Sequence, residues 1–84
     1  MSDGTGSETR STTAREWLAG FSEVIGAPAP DEDITEALLD LAGVAAHDSE
    51  RIAAPIACWM AGVAGVDPAE ALERARRHAA ERPR

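Results

Sequence analysis

Residues 46–55 read Ala-His-Asp-Ser-Glu-Arg-Ile-Ala-Ala-Pro and gather most of the side chains in this sequence that could take part in chemistry. Ser49, beside an acid in a small acidic chain, is a candidate attachment point for a covalently bound arm. His47 and Arg51 lie four apart, one turn if a helix runs through them, and together could meet a phosphate or a carboxylate of a partner. One structural reading competes with this: His47 caps the last carbonyls of a helix while Arg51 pairs with Glu50, Asp48 or Asp40. Catalysis fits less well. A serine nucleophile needs a base oriented by a third group, and the only histidines are His47 and His78, with no glycine-rich oxyanion loop or phosphate cradle. No catalytic residue is therefore assigned, and a non-enzymatic protein is expected. Cys58 is the only cysteine, so no disulfide within the chain and no Cys/His metal spacing exists; no metal and no cofactor are expected. Between Ala57 and Trp59, Cys58 reads as a small core hydrophobe.

Charge narrows the partners. The formal net charge is −7. Residues 1–50 carry eleven acids against two arginines, net −9, while residues 51–84 carry four acids and six arginines, net +2. A free acidic domain repels a phosphate backbone, which disfavours nucleic acid. All eight basic residues are arginine, a bias of GC-rich genomes to which no function is attached. The longest charge-free run, residues 52–66, falls short of the roughly 20 residues that span a bilayer, and the N-terminus lacks the pattern of a signal peptide. The expected location is the cytoplasm, without a membrane contact.

The elements that position these residues are legible as helices. Residues 1–12 are Gly, Ser, Thr and charge and read as a disordered tail, with a helical domain over 13–81 and a C-terminal tail at 82–84. Thr13 and Glu16 form a capping box ahead of Trp17, Leu18, Phe21, Val24 and Ile25, and Gly26 stops that helix. Ala27-Pro28-Ala29-Pro30 is a stiff extended connection. A second helix opens on Asp31-Glu32-Asp33, with Asp33 and Glu36 as a box-like pair and Ile34, Leu38, Leu41 and Ala45 as its buried stripe, and runs to about Ala46. A third starts between Ile52 and Pro55 and turns Ile56, Trp59, Met60 and Val63 to the core, with Gly62 and Gly65 permitting close helix approach. Asp67-Pro68 opens a fourth, with Leu72, Ala75 and Ala79 inward. The arginines from Arg74 onward complement the negative end of that helix. No stretch alternates at period two. The expected fold is all-α, a compact bundle of four short helices.

Two readings of residues 41–55 stay open beside an interaction module. An acyl or peptidyl carrier would hold phosphopantetheine on Ser49, but carriers place an apolar residue after that serine and here Glu50 and Arg51 follow. A helix-turn-helix would use Gly43 in its turn, but Asp48 and Glu50 would fall on its DNA-facing surface and Pro55 would interrupt it. Trp17 and Trp59 could stack on a pterin or base, or simply pack.

Glu16-Trp17-Leu18, Leu39-Asp40-Leu41-Ala42, Ala46-His47, Glu50-Arg51, Ala53-Ala54-Pro55-Ile56 and Ala61-Gly62, in this order and spacing, resemble a small family of unknown function from GC-rich bacteria. That family occurs alone or appended to molybdenum-cofactor guanylyltransferase-like nucleotidyltransferases. The resemblance covers about residues 13–77 and implies that His47, Glu50, Arg51 and Pro55 are the interaction candidates, with Asp48-Ser49 in a variable gap where the family often has Gly-Val. It also implies a protein partner, such as a nucleotidyltransferase, and leaves a homodimer open. Gly43 and Ala45 depart from the family pattern, which often has an arginine or acid near them.

Overall fold

The structure, a computed structural model, describes residues 12–83. The tail expected over residues 1–12 therefore lies, apart from Thr12, outside the described residues. Four helices follow in order, α1 (Ala14–Ile25), α2 (Glu32–Asp48), α3 (Ala53–Ala64) and α4 (Pro68–Glu81), and no strand occurs among the described residues. The protein is a small all-α domain. None of these helices is long and apolar enough to cross a membrane.

Each helix ends where its local chemistry dictates. Thr13 Oγ1 accepts from the Glu16 N–H at 3.1 Å and the Glu16 carboxylate accepts from the Thr13 N–H at 3.1 Å, so the predicted capping box forms. Gly26 closes α1 in the left-handed region (φ 73°), and the N–H groups of Gly26 and Ala27 both donate to the Ser22 carbonyl. At α2 the cap is Asp31, two residues before the expected Asp33: its carboxylate accepts from the Ile34 N–H at 2.9 Å. Asp31, in extended geometry, already satisfies a free donor, so Glu32 and Asp33 become first-turn acids at the positive helix end. At α4, Asp67 caps through the Ala69 N–H and Pro68 takes the first position, as the sequence requires.

Packing departs from the simple expectation at two places. α2, α3 and α4 pack on one another, α2 lying against both others. Leu41 is buried at the centre with Ala71, and Leu38, Ala45, Leu72, Ala75 and Ala79 are half-buried around them, as the stripes of α2 and α4 predict, except that Ile34, expected inward in the first turn of α2, is exposed. Helix α3, however, turns its small side chains inward. Ala53, Ala54, Ala57, Cys58 and Ala61 are half-buried, whereas Ile56, Trp59, Met60 and Val63, expected in the core, are exposed, Trp59 at 68%. A helix with no charged residue has no polar face to mark its outer side, so size decides: small residues let the backbones of α2 and α3 approach. Gly62 meets nothing within 4 Å of where a Cβ would stand, and Gly65 (φ 71°) is the left-handed terminator of α3; neither serves the helix approach expected of it.

The second departure is α1, which packs against no other helix. Trp17, Val24 and Ile25 are largely exposed, Val24 at 80%, and Leu18 and Phe21 are little better covered. The Trp17 and Phe21 rings stack on each other, 5.0 Å between centroids and 26° between planes. Because α1 stands off from the three-helix body, the molecule measures 55 × 28 × 18 Å.

Candidate functional site at the junction of α2 and α3

Helix α2 stops at Asp48 because Ser49 leaves helical geometry (φ −140°, ψ −98°). Its N–H and its hydroxyl both donate to the Ala45 carbonyl, at 3.1 and 2.7 Å. Ser49 is thus a helix-terminating residue, and α3 begins four residues later at Ala53, not at the serine. The connecting turn offers the carbonyls of Glu50 and Arg51 to the N–H groups of Ala53 and Ala54, at 2.9 and 3.1 Å. These carbonyls do the work of a side-chain cap for α3, while Pro55 in its first turn has no N–H to satisfy.

This break separates the four candidates. His47 is exposed in the last turn of α2, Glu50 and Arg51 are exposed in the turn, and Pro55 is exposed in the first turn of α3. The idea that His47 and Arg51 share one face at a one-turn spacing required a continuous helix, and it fails at Ser49. Nor does Arg51 pair with Glu50, Asp48 or Asp40. The ion pairs seen among the described residues are Arg82 with Asp48 and Arg74 with Glu70.

Arg82 is the residue that sequence reasoning missed. It was assigned to the C-terminal tail, yet its Nε lies 2.7 Å from Asp48 Oδ2 and its Nη2 donates to the Asp48 carbonyl at 3.0 Å. Asp48 is only 12% exposed at its side chain, so the pair holds the end of α4 against the end of α2. No local spacing could reveal it, because the partners are 34 residues apart and meet only after the helices pack. The pair also fills the negative end of α2 with a guanidinium, the role assigned to His47.

A shallow groove of ≈ 760 Å³ starts at this polar corner, with Asp48, Ser49, Glu50 and Arg82, and runs past Ile52 onto the apolar side of α3 at Ile56 and Met60. His47 lines a separate depression with Val44, Asp48, Arg76 and Ala79. Cys58 lies on the opposite, inward side of α3, its thiol 3.7 Å from the Leu38 carbonyl, and burial pushes its pKa up. A protonated, half-buried thiol of this kind is a packing residue. The corner holds exposed charges of both signs beside an apolar strip.

The sequence pattern described as Domain of unknown function (DUF6457) matches residues 9–84. The chain belongs to that family. No curated protein and no solved structure matches it. In this DUF6457 chain the family match extends past the resemblance read over residues 13–77 and takes in Arg82, the anchor of the junction.

Proposed function

We propose that this chain is a non-enzymatic interaction domain that works in the cytoplasm on a protein partner. The observation that carries this reading is α3: twelve residues without a charge, packed on one side through alanines and presenting Ile56, Trp59, Met60 and Val63 to solvent on the other. An apolar helix is stable in water only when covered, and contiguous exposed apolar surface beyond a few hundred Å² marks an interaction site. The charged junction at His47, Glu50 and Arg51 borders this strip and supplies a polar rim.

The proposal extends to molybdenum-cofactor metabolism, with a guanylyltransferase-like nucleotidyltransferase as partner. Its support is the resemblance of the sequence to domains appended to such enzymes. Titration of the purified chain against a molybdenum-cofactor guanylyltransferase tests it. Saturable binding that weakens at least tenfold on Arg51→Glu or Glu50→Arg supports the reading. Absence of binding at 100 μM of either protein removes the enzyme as partner. The carrier alternative predicts a mass gain at Ser49 on incubation with coenzyme A and a phosphopantetheinyl transferase; with its hydroxyl bonded to Ala45 and no helix starting at it, Ser49 is expected to give none.

A further inference from the structure

The same chain carries two uncovered apolar faces, and they are complementary. One is the outward side of α3, with Ile56, Trp59, Met60 and Val63. The other is the amphipathic α1, with Trp17, Phe21, Val24 and Ile25 on one side and Arg15, Glu16 and Glu23 among its polar residues. Both helices are twelve residues long, so each face can be covered by the other along its whole length.

The connection between α1 and α2 keeps the two faces of one chain apart. Gly26 ends α1, the Ser22 carbonyl accepts from the Ala27 N–H, and the Ser22 hydroxyl donates to the Ala27 carbonyl. Pro28 and Pro30 then hold φ, and Asp31 caps α2 at once. Both ends of the linker are tied and its middle is stiff, so α1 is carried as an arm. The radius of gyration, 16.1 Å, exceeds the roughly 12 Å of a compact domain of this length.

We infer that two copies of this chain associate by exchanging α1, the arm of each covering the outward face of α3 of the other. This rests on the reading of the chain as an interaction domain and names its first partner as a second copy. Three observations favour that occupant over a foreign protein. Among the described residues only Leu41 and Ala71 are fully buried apolar residues, a small core against the chain entropy of so many ordered residues. The eight apolar side chains of the two faces are 40–80% exposed, together on the order of 1,000 Å² per chain, so exchange would bury on the order of 2,000 Å² in the pair, the size of a stable interface. A two-fold exchange is also isologous and closed: it covers both faces of both copies and leaves no edge for further growth.

Sedimentation equilibrium of the full chain tests this, with the expected mass twice the 8.8 kDa of one chain. Val24→Glu and Trp59→Glu each alter a side chain that touches little in a single copy and should each reduce the mass to that of a monomer. Mixing the two variants is the decisive arm. A mixed pair retains one intact contact, the arm of the Trp59→Glu chain on α3 of the Val24→Glu chain, and should regain dimer mass. Pairing of α3 with α3 would make Val24→Glu harmless and leave the mixture without rescue, which overturns the exchange. A wild-type monomer, with α1 folded onto its own α3 or with the face open, overturns it too. Should a variant lose its helical signal on dissociating, the wild type decides: an exchanged dimer raises its thermal midpoint by several degrees per tenfold rise in concentration, and a monomer does not. A monomeric chain that still binds the guanylyltransferase would sink the exchange and leave the interaction reading standing; a dimer that binds no enzyme would do the reverse for the enzyme partner.

Discussion

Helices α1 and α4 begin alike and end in opposite fates. Both begin at a side-chain cap, both carry an apolar stripe at helical spacing, and they differ in length by two residues. Yet α4 packs against α2 and α3, while α1 packs against neither. Two differences account for it. The stripe of α4 is built from Ala71, Leu72, Ala75 and Ala79, small enough for the helix to lie close on α2, and Gly65-Val66-Asp67 turns the chain straight back. The stripe of α1 is large and aromatic, and its connection to α2 contains two prolines and is tied at both ends. An amphipathic stripe therefore says that a face will be covered. Side-chain size and the stiffness of the connection decide what covers it.

Mutations that strike the two regions separately make the comparison breakable. The largest effect is expected from Leu41→Ala, at 4% exposure the centre of the three-helix body, with a loss of about 2–5 kcal/mol by chemical denaturation. Phe21→Ala on α1 removes a larger side chain and should cost far less in dilute solution, with its loss growing as concentration rises. Equal losses at every concentration would mean that α1 is docked within its own chain. Next comes Arg82→Ala, which removes the guanidinium from the half-buried Asp48 carboxylate and should cost about 1–3 kcal/mol. An effect within error would show that the α4–α2 clamp contributes nothing.

Caps offer a finer contrast. Asp31→Ala removes the start of the central helix and should lower global stability by about 1 kcal/mol. Thr13→Ala removes an equivalent cap from the arm and should reduce helical content in dilute solution while leaving the main unfolding transition in place. The smallest change is a gain. Gly43 lies within α2, where an added Cβ meets nothing within 4 Å, so Gly43→Ala should stabilise by about 0.5–1 kcal/mol, whereas Gly20→Ala in α1 should raise helicity without moving the body's midpoint.

Which residues would form helices was legible to within a few residues, the cap of α2 and the break at Ser49 excepted. Thr13, Gly26, Asp67 and Pro68 act within a few residues of themselves, through caps and a left-handed glycine, so their meaning does not depend on what the chain packs against. The inward stripes of α2 and α4 were legible for a related reason: polar residues on the remaining faces leave one apolar side to bury. The candidate site was legible only as a segment. His47, Glu50, Arg51 and Pro55 do surround one junction, but their arrangement turned on whether the helix ran through Ser49, and a backbone break of one residue is decided by the competition between its own hydroxyl and the helical ladder.

By itself the sequence determined that the described residues form four helices, and where most of these start or stop, because caps, prolines and left-handed glycines are local and their energies do not wait for tertiary contacts. Tertiary structure alone decided which side of α3 faces inward, which cation anchors Asp48, and that α1 stands apart. Each of those outcomes is a choice among surfaces or charges equivalent at the level of residue type: four sides of a charge-free helix, eight arginines, two amphipathic stripes. Only the shape of the packed body and the reach of its connections makes them unequal.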